Sequence, residues 1–148
     1  MKENPLILSE INGILQSAPF ATLATSCDSY PHCSLIGFIS DEECRAIYFI
    51  TGRGTRKFRN ISVNPSVSLL VSTAEGRSSG FSEAAAITIT GTASIIEGTP
   101  GEEILKRYSE KLPFLKEFLN FHDCAMIKVN VSGYLLVKNF QDTYEYEF

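Results

Sequence analysis

The sequence predicts a mainly β fold, an antiparallel β-barrel with helices around it, in one domain over residues 1–148. Short segments rich in Val, Ile, Thr and aromatic residues recur along the chain. Turn residues bound them, which is typical of strands joined by hairpins. Few helical segments lie between them, so the regular strand–helix alternation of a doubly wound sheet is excluded. A length of 148 residues fits one domain, and no repeat or linker divides it.

The first half of the chain begins with a helix and continues with strands. Asn4 can cap the helix and Pro5 suits its first position, while the apolar spacing predicts an end near Gln16. Thr55 is a natural cap for a second, short helix that runs through Ile61. The predicted strands are residues 20–26, 32–39, 46–51 and 66–72, with a hairpin turn at 28–31 and a polar turn at 41–43.

The second half combines a long strand, two helices and a closing run of strands. Gly91 is expected to mark a bulge in a strand over residues 86–97. Thr99 is expected to cap a third helix, with Pro100 at its first position and Glu102 completing a capping box. The last strand alternates aromatic and acidic residues, so its aromatic face is expected to pack on the barrel or on a partner subunit. The other expected elements are a loop at 74–82, a short helix after Pro113 and strands at 125–131, 134–138 and 143–148.

The charge and the cysteines of the chain argue against several classes of protein. The 13 Lys and Arg against 17 Asp and Glu give a net charge of −4, which argues against a nucleic-acid binder. No apolar run approaches the roughly 20 residues that cross a bilayer. The N-terminus does not read as a secretion signal, so a cytoplasmic protein is expected. The four cysteines form no CxxC pair and are expected to be reduced thiols, with no metal site.

A basic segment stands out against this acidic background. Between residues 45 and 74 the chain has basic residues and no acidic ones. Most charge clusters are only solvated surfaces, so the context of the segment decides its meaning. The basic residues are Arg45, Arg53, Arg56, Lys57 and Arg59.

The basic segment has the order strand, Gly-rich loop and helix N-terminus, which is typical of an anion site. Arg56 and Lys57 stand at that N-terminus, where the helix dipole disfavours each exposed cation by about 0.3–1 kcal/mol. A bound phosphate would neutralise them, with Thr55 adding a hydroxyl group. The loop lacks the GxxxxGK[ST] pattern and nearby acidic residues to hold magnesium. A phosphomonoester such as a mononucleotide cofactor is therefore favoured over a nucleoside triphosphate, and the alternative is a solvated basic turn.

Four segments of the sequence together resemble a known family. They are residues 20–26 (FATLATS), 30–38 (YPHCSLIGF), 47–60 (IYFITGRGTRKFRN) and 64–71 (NPSVSLLV). In this order they resemble the pyridoxamine 5′-phosphate oxidase-like, FMN-binding split-barrel superfamily. The chain is similar to its short members, which include those similar to nitroimidazole reductases and general stress flavoproteins. The resemblance implies a six-stranded split barrel and a homodimer that holds FMN at its interface.

The resemblance also implies where FMN would bind. The second strand contacts the flavin ring, commonly through its backbone. The strand end before the basic loop lines the ring or the ribityl chain, and the start of the following helix holds the phosphate. The residues implied are Ser34, Leu35, Ile36 and Gly37 for the ring, Ile50 and Thr51 for the strand end, and Thr55, Arg56 and Lys57 for the phosphate.

The implied function is that of an FMN-dependent oxidoreductase acting on a small molecule, since FMN itself carries the hydride or electron chemistry. Ser34 stands where the oxidase proper has Arg, and the tail lacks its Arg–x–x–Pro-type motif, so oxidation of pyridoxamine phosphate is not expected. Tyr30, His32 and Tyr48 are aromatic or titratable groups near the implied ring, but no catalytic residue is assigned. The alternatives are a flavin-binding or sensing protein without turnover, a relative that binds haem or deazaflavin, and a structural barrel whose basic turn binds nothing.

Overall fold

The computed structural model describes residues 4–73, 84–118 and 122–148, so the loop expected at 74–82 lies outside the described residues. No helix in the described part is long and apolar enough to cross a membrane. In chain order the elements are α1 (Pro5–Ser17), β1 (Phe20–Cys27), β2 (Tyr30–Gly37), β3 (Ile39–Ser40), β4 (Ala46–Gly52), α2 (Arg56–Val63), β5 (Ser66–Ser72), β6 (Ala85–Ile95), α3 (Glu102–Lys111), a 3₁₀ helix (Pro113–Phe118), β7 (Cys124–Lys138) and β8 (Asp142–Glu147).

All the strands belong to one antiparallel sheet in the order β2–β1–β5–β6–β7–β4–β3, with β8 paired to the second half of β7. β2 and β3 stand at opposite ends of this order, yet Phe38 alone separates them in the chain. The two edges of the sheet must therefore lie close together, so the sheet curls into a partly closed barrel. The mainly β split barrel with flanking helices is confirmed. Its six longest strands, β1, β2, β4, β5, β6 and β7, match the expected number.

The β1–β2 hairpin is tighter than the sequence predicts. Cys27 pairs with Tyr30, so the turn consists only of Asp28 and Ser29, whose φ angles are 51° and 67°. Positive φ at both central residues is the geometry of a type I′ turn, which matches the twist of paired strands. Because this turn needs only two residues, the strand predicted at 32–39 is wrong at both ends: β2 begins and ends two residues earlier.

The longest pairing joins β6 to β7 and contains the bulge predicted at Gly91. The register shifts between Thr90 and Gly91, and Ser132 is the extra residue on β7. A Cβ atom at position 91 would collide with the backbone oxygen of Asn130. Glycine is therefore required here by the close approach of the two strands.

Two further predictions, the division of β7 and the cap of α3, are wrong. β7 runs unbroken, where the sequence predicts two strands at 125–131 and 134–138, because the bulge absorbs the extra residue without ending the pairing with β6. The N-cap of α3 is Gly101 rather than Thr99, and it makes no side-chain hydrogen bond. The predicted capping box therefore does not form.

The inner faces of the strands form the core, and helices cover two sides of the barrel. α1 is buried through Ile7, Ile11 and Leu15. α3 and the residue after it bury Tyr108 and Leu112 in a smaller cluster beside β3 and β4. Both helices thereby shield apolar strand residues that would otherwise face water.

The aromatic face of the C-terminal strand packs on the barrel only in part, because Tyr144 and Phe148 are each 36% exposed. Tyr146 is buried in the main core. Its ring centre lies 5.1 Å from that of Phe148, which also lies 6.1 Å from that of Tyr134. Edge-to-face contacts of this kind fix the C-terminal strand to the barrel wall.

The outer face of four neighbouring strands carries no charge. β2, β1, β5 and β6 contain no Asp, Glu, Lys or Arg. Their register places Thr22 between Leu35 and Leu70 on the side away from the core, and these two leucines are 68% and 45% exposed. We call the outward residues of these four strands the neutral face. A sheet face in contact with water normally carries polar and charged side chains, so the neutral face is unusual for a solvated surface.

Candidate functional site

Thr55 orders the basic loop and the start of α2. Its hydroxyl accepts a hydrogen bond from the backbone N–H of Phe58 (3.3 Å) and donates one to the carbonyl of Gly52 (2.8 Å). It also lies 3.0 Å from the hydroxyl of Thr51 at the end of β4. Thr55 is the N-cap that the sequence predicts. Because its one hydroxyl proton already has an acceptor, Thr55 in this arrangement fixes the turn between β4 and α2.

The five basic residues of the segment do not form one cluster. Arg45 precedes β4 and Arg53 follows it, so their positions lie about 26 Å apart along an extended strand. The guanidinium of Arg45 lies 4.4 Å from the ring centre of Phe148 and 4.0 Å from the carboxylate of Glu43. Arg45 therefore belongs to the surroundings of the C-terminal strand and not to an anion site.

Two further cations are held by their own chain. Arg59 donates a hydrogen bond of 3.0 Å to the carbonyl of Gly54, in the basic loop. The guanidinium carbon of Arg53 lies 5.7 Å from the ring centre of Phe58. These contacts keep both side chains against the loop and α2.

Arg56 and Lys57 differ from the other three cations. Neither side chain has a hydrogen bond or an ion pair with any residue that the structure describes. Their backbone N–H groups, at the first two positions of α2, also have no acceptor among those residues. The backbone of Asp123 reaches the loop, where its carbonyl accepts the N–H of Arg53 at 2.7 Å. Two cations and two N–H donors are thus free at one helix end.

Arg56 also lines a surface cavity of about 230 Å³. Arg56 and Asn60, one turn apart on α2, form one wall. The β1–β2 hairpin forms the other wall, which consists of Cys27, Tyr30, Pro31 and His32.

A buried hydrogen bond holds α2 against this hairpin. The side-chain amide of Asn60 donates to the hydroxyl of Thr25 at 3.0 Å, and both residues are buried. Thr25 is paired with His32 across the hairpin, so this bond sets the position of Arg56 relative to His32. The sequence alone does not single out Asn60. The sequence pattern that could have indicated Asn60 is a side-chain amide one helical turn after Arg56, next to an apolar residue that faces the core.

The residues expected at the flavin ring meet at a second place, beneath α3. The hydroxyl of Tyr108 donates to the carbonyl of Gly37 at 3.3 Å and contacts the backbone of Ile50. Burial raises the pKa of Tyr108 to about 12, although the backbone of Ile50 lowers it, so the phenol remains a proton donor at neutral pH. An added Cβ atom at Gly37 would lie 3.0 Å from Leu112. The sequence places Tyr108 only on the apolar face of a helix and does not indicate this contact.

The side chains of the middle of β2 alternate between the core and the neutral face. Ile36 is buried in the core and Leu35 points outward. Ser34 faces the same side as Ile36, and its hydroxyl is buried without a hydrogen-bond partner among the described residues. A buried hydroxyl without a partner destabilises the fold by roughly 1–3 kcal/mol. Ser34 is therefore a place where a ligand or water atom would supply a missing partner.

The expected site is divided between the two ends of β2. The start of β2 lies beside Arg56 and its end lies beneath α3. His32 and Gly37, which are five positions apart, are separated by about 17 Å along the strand. In the described part of the chain, Arg56 is the one member of the nine residues expected around the cofactor that lines the cavity beside the start of β2. The structure brings together Thr51 with Thr55, Gly37 with Ile50 through Tyr108, and Arg56 with the start of β2, whereas Lys57 and Leu35 stand at the surface apart from these groups.

Metal-ligating side chains are not clustered in the described part of the chain. No group of three or more His, Cys, Asp or Glu residues there could hold a metal ion. None of the four cysteines forms a disulfide bond with another described residue.

The sequence matches a protein family over most of its length. A family model described as pyridoxamine 5′-phosphate oxidase matches residues 7–138. No curated protein has a significantly similar sequence.

Several solved structures share the fold. A haem-binding protein from Mycobacterium smegmatis has a TM-score of 0.84 at 18% identity, over 99% of this chain and 60% of that one. The haem storage protein HutZ from Vibrio cholerae has a TM-score of 0.71 at 18% identity, over 92% of each chain. General Stress Protein 26 from Bacillus anthracis has a TM-score of 0.67 at 22% identity, over 96% of this chain and 98% of that one. Identities this low show a shared fold alone, and the chain spans about three-fifths of the M. smegmatis protein.

Proposed function

Because the chain belongs to the pyridoxamine 5′-phosphate oxidase family, we propose that it is a flavoprotein that binds FMN and acts as an oxidoreductase on a small molecule. One observation carries the proposal. Arg56 and Lys57 stand without partners, within the described residues, at the N-terminus of α2. FMN ends in a phosphate monoester, and such an anion fits two cations and two free backbone N–H groups.

The other cations of the segment strengthen the assignment by contrast. Arg53 and Arg59 contact their own chain, whereas Arg56 and Lys57 have no hydrogen bond or ion pair among the described residues, at a helix end whose dipole disfavours positive charge. Arg offers a forked pair of donors to phosphate and Lys a point charge. Thr55 supports this arrangement by fixing the turn, and its hydroxyl would contact phosphate only by leaving the carbonyl of Gly52.

The ring of FMN would lie along β2, toward the end beneath α3. The outward position of Leu35 supports this placement, because it offers the ring an apolar surface on the neutral face. At the far end of β2, Tyr108 contacts the backbone of both Gly37 and Ile50, which lies on β4. The residues present therefore fit FMN, with the phosphate at the start of β2 and the ring near its end.

A second copy of the chain would complete the site. The neutral face has no charged residue across four strands and exposes Leu35 and Leu70. A surface with that composition is suited to an obligate interface rather than to water. We therefore propose a homodimer in which the neutral face is covered by the partner subunit, with the flavin ring beside that interface.

When bound, FMN supplies hydride and single-electron chemistry. This chain contributes binding and orientation: Arg56 and Lys57 hold the phosphate, β2 supports the ring, and the second copy excludes water from it. No acid or base of the chain is assigned to the reaction. Ser34 stands where the oxidase proper is expected to have Arg, so the proposed substrate is a small molecule other than pyridoxamine phosphate. We also propose a cytoplasmic setting, in which the cysteines would stay reduced.

Haem is the second candidate cofactor. The M. smegmatis and V. cholerae proteins that share the fold are named as haem-binding and haem storage proteins. Haem iron commonly takes an axial His ligand, and its propionate groups pair with Arg. The two histidines of this chain are His32, in the cavity beside Arg56, and His122, in the turn before β7.

Absorbance of the purified protein, before and after addition of FMN, tests the proposal. Flavin bands near-stoichiometric with protein are expected, whereas a Soret band would favour haem and absence of FMN binding would refute the flavin assignment. Replacing Arg56 and Lys57 together by Ala should weaken FMN at least tenfold and leave riboflavin unchanged, because each removes a charge-assisted hydrogen bond worth about 1.5–3 kcal/mol.

The matched control is Arg59→Ala, since Arg59 lies on the same helix but is held by the carbonyl of Gly54. This variant should bind FMN as the wild type does. Equal losses of FMN and riboflavin in the Arg56/Lys57 variant would contradict the phosphate assignment. Anaerobic reduction by NADH or NADPH, followed by reoxidation with small acceptors, separates an oxidoreductase from a flavin-binding protein without turnover.

A further inference from the structure

The cavity between α2 and the β1–β2 hairpin, of about 230 Å³, brings together two groups from distant parts of the chain. Arg56 reaches it from α2 and His32 reaches it from β2. Asn60 adds an amide to the same wall as Arg56. A guanidinium, an imidazole and an amide that converge on one concave surface are typical of a site for a small polar ligand.

The lining of this cavity has positive charge and no negative charge. Among the described residues, Arg56 is its charged residue and no Asp or Glu lines it. The titratable groups that face His32 are Arg56 from α2, Cys27 from β1 and Tyr30 from the start of β2. Near pH 7 an ordinary thiol and an ordinary phenol carry no charge. The cavity therefore favours an anion.

Both groups are available to a ligand. Neither Arg56 nor His32 has a hydrogen bond or an ion pair within the residues that the structure describes. The position of His32 is nevertheless fixed, because it pairs with Thr25 across the hairpin and Thr25 is bonded to Asn60. The Asn60 bond thus holds both walls of the cavity at a set separation before any ligand arrives.

We propose that this cavity holds the phosphate group of FMN between Arg56 and His32, and that His32 binds it in the imidazolium form. The inference rests on the proposed flavin function and adds to it a further cation, from outside the basic segment. An imidazolium donates from both ring nitrogens, and a phosphate monoester carries close to two negative charges near neutral pH. Lys57 does not line the cavity, so it acts on the phosphate from outside and contributes less than Arg56.

The proposal gives FMN binding a dependence on pH. Histidine changes its charge between pH 5 and 8, whereas a phosphate monoester loses its second charge only near pH 6. The affinity for FMN is therefore expected to rise on the order of fivefold as the pH falls from 8 to 6.5. Riboflavin has no phosphate, so its affinity should not change over that range.

Titration of the full-length protein with FMN and with riboflavin at pH 8.0, 7.2 and 6.5 tests the proposal by quenching of flavin fluorescence. His32→Asn should abolish the pH dependence of FMN binding, while His122→Asn, at the other histidine of the chain, should retain it. Calorimetry in two buffers of different ionisation enthalpy should show proton uptake on FMN binding to the wild type and none in His32→Asn.

The pH dependence of flavin binding and the proton uptake of the wild type test the role of His32 even if His32→Asn does not fold. FMN and riboflavin that bind with the same dependence on pH, or FMN that binds without proton uptake, would overturn the role of His32 and leave the flavin function standing. Retained pH dependence in a folded His32→Asn variant would overturn it equally. Absence of FMN binding at every pH would overturn both the inference and the proposed function.

Discussion

The ammonium group of Lys111 lies 4.0 Å from the ring centre of Phe38. Phe38 is the residue at which the chain passes from β2 to β3, from one edge of the sheet to the other. The same ammonium donates a hydrogen bond of 2.8 Å to the carbonyl of Leu15, near the end of α1. One cation at the end of α3 thus joins both helices to the bend that closes the barrel.

The charge of Lys111 should make stability depend on pH in the alkaline range. Burial, together with the positive charge of Arg107, lowers the pKa of Lys111 from 10.5 to about 8. Between those values the unfolded chain binds more protons than the folded chain, so this group's contribution to stability rises with pH. Lys111→Met keeps the methylene groups over Phe38, and its free energy of unfolding should therefore rise less steeply between pH 8 and 10 than that of the wild type.

Urea unfolding at several pH values measures this difference. Lys106→Met is the matched control, because Lys106 lies on the same helix with its side chain 76% exposed. It should follow the wild-type curve. Parallel curves for Lys111→Met and the wild type would show that the charge of Lys111 is not coupled to folding.

The buried bond between Asn60 and Thr25 predicts a loss of stability on truncation. Asn60→Ala leaves the Thr25 hydroxyl buried without a partner, so the free energy of unfolding should fall by about 1–3 kcal/mol. Adding Thr25→Val removes the orphaned hydroxyl and should restore part of this loss. Urea denaturation of the wild type, the two single variants and the double variant measures the coupling energy between Asn60 and Thr25. Ser62→Ala, on the exposed side of α2, is the control and should change the free energy of unfolding by less than about 0.5 kcal/mol. Strictly additive effects would contradict a direct interaction.

The cap of α2 makes a separate prediction. Thr55→Ala removes the acceptor for the N–H of Phe58 and the bond to the carbonyl of Gly52. The loss of an N-cap lowers stability by about 0.5–2 kcal/mol. Thr55→Ser retains the hydroxyl and should unfold close to the wild type in thermal melts followed by circular dichroism. An alanine variant as stable as the serine variant would show that the cap does not stabilise the helix.

The neutral face predicts the outcome of adding a charge to it. Leu35→Glu places a carboxylate where a partner subunit would bury it, and an unpaired buried charge destabilises an interface by about 3–5 kcal/mol. The dissociation constant of the dimer should rise at least 100-fold, which sedimentation at micromolar concentration would detect. Leu6→Glu adds the same charge at an 80% exposed position of α1 and should remain dimeric. A monomeric wild type, or a dimeric Leu35→Glu variant, would contradict the proposed interface.

Features set by neighbouring residues were readable from the sequence. Asn4 and Thr55 cap their helices as predicted, and Gly91 stands at the predicted bulge. The strand Ser66–Ser72 has the predicted ends. Each depends on local chemistry, such as a side-chain oxygen next to a free N–H group or a glycine where two backbones approach closely. The same kind of pattern gave a wrong prediction at Thr99, because α3 begins two residues later than the predicted capping box requires.

The sequence by itself determined the class of the fold, since strand composition, turns and helix caps are short-range properties, and it predicted an anion site at the basic loop. Only the tertiary structure decided which cations of the basic segment lie close together. It places Arg45 at the far end of β4, Arg56 beside His32, and Tyr108 against Gly37. These relationships depend on which strands pair and where helices dock. Contacts between residues that are 24 to 71 positions apart follow from the register of the whole sheet, which no local pattern encodes.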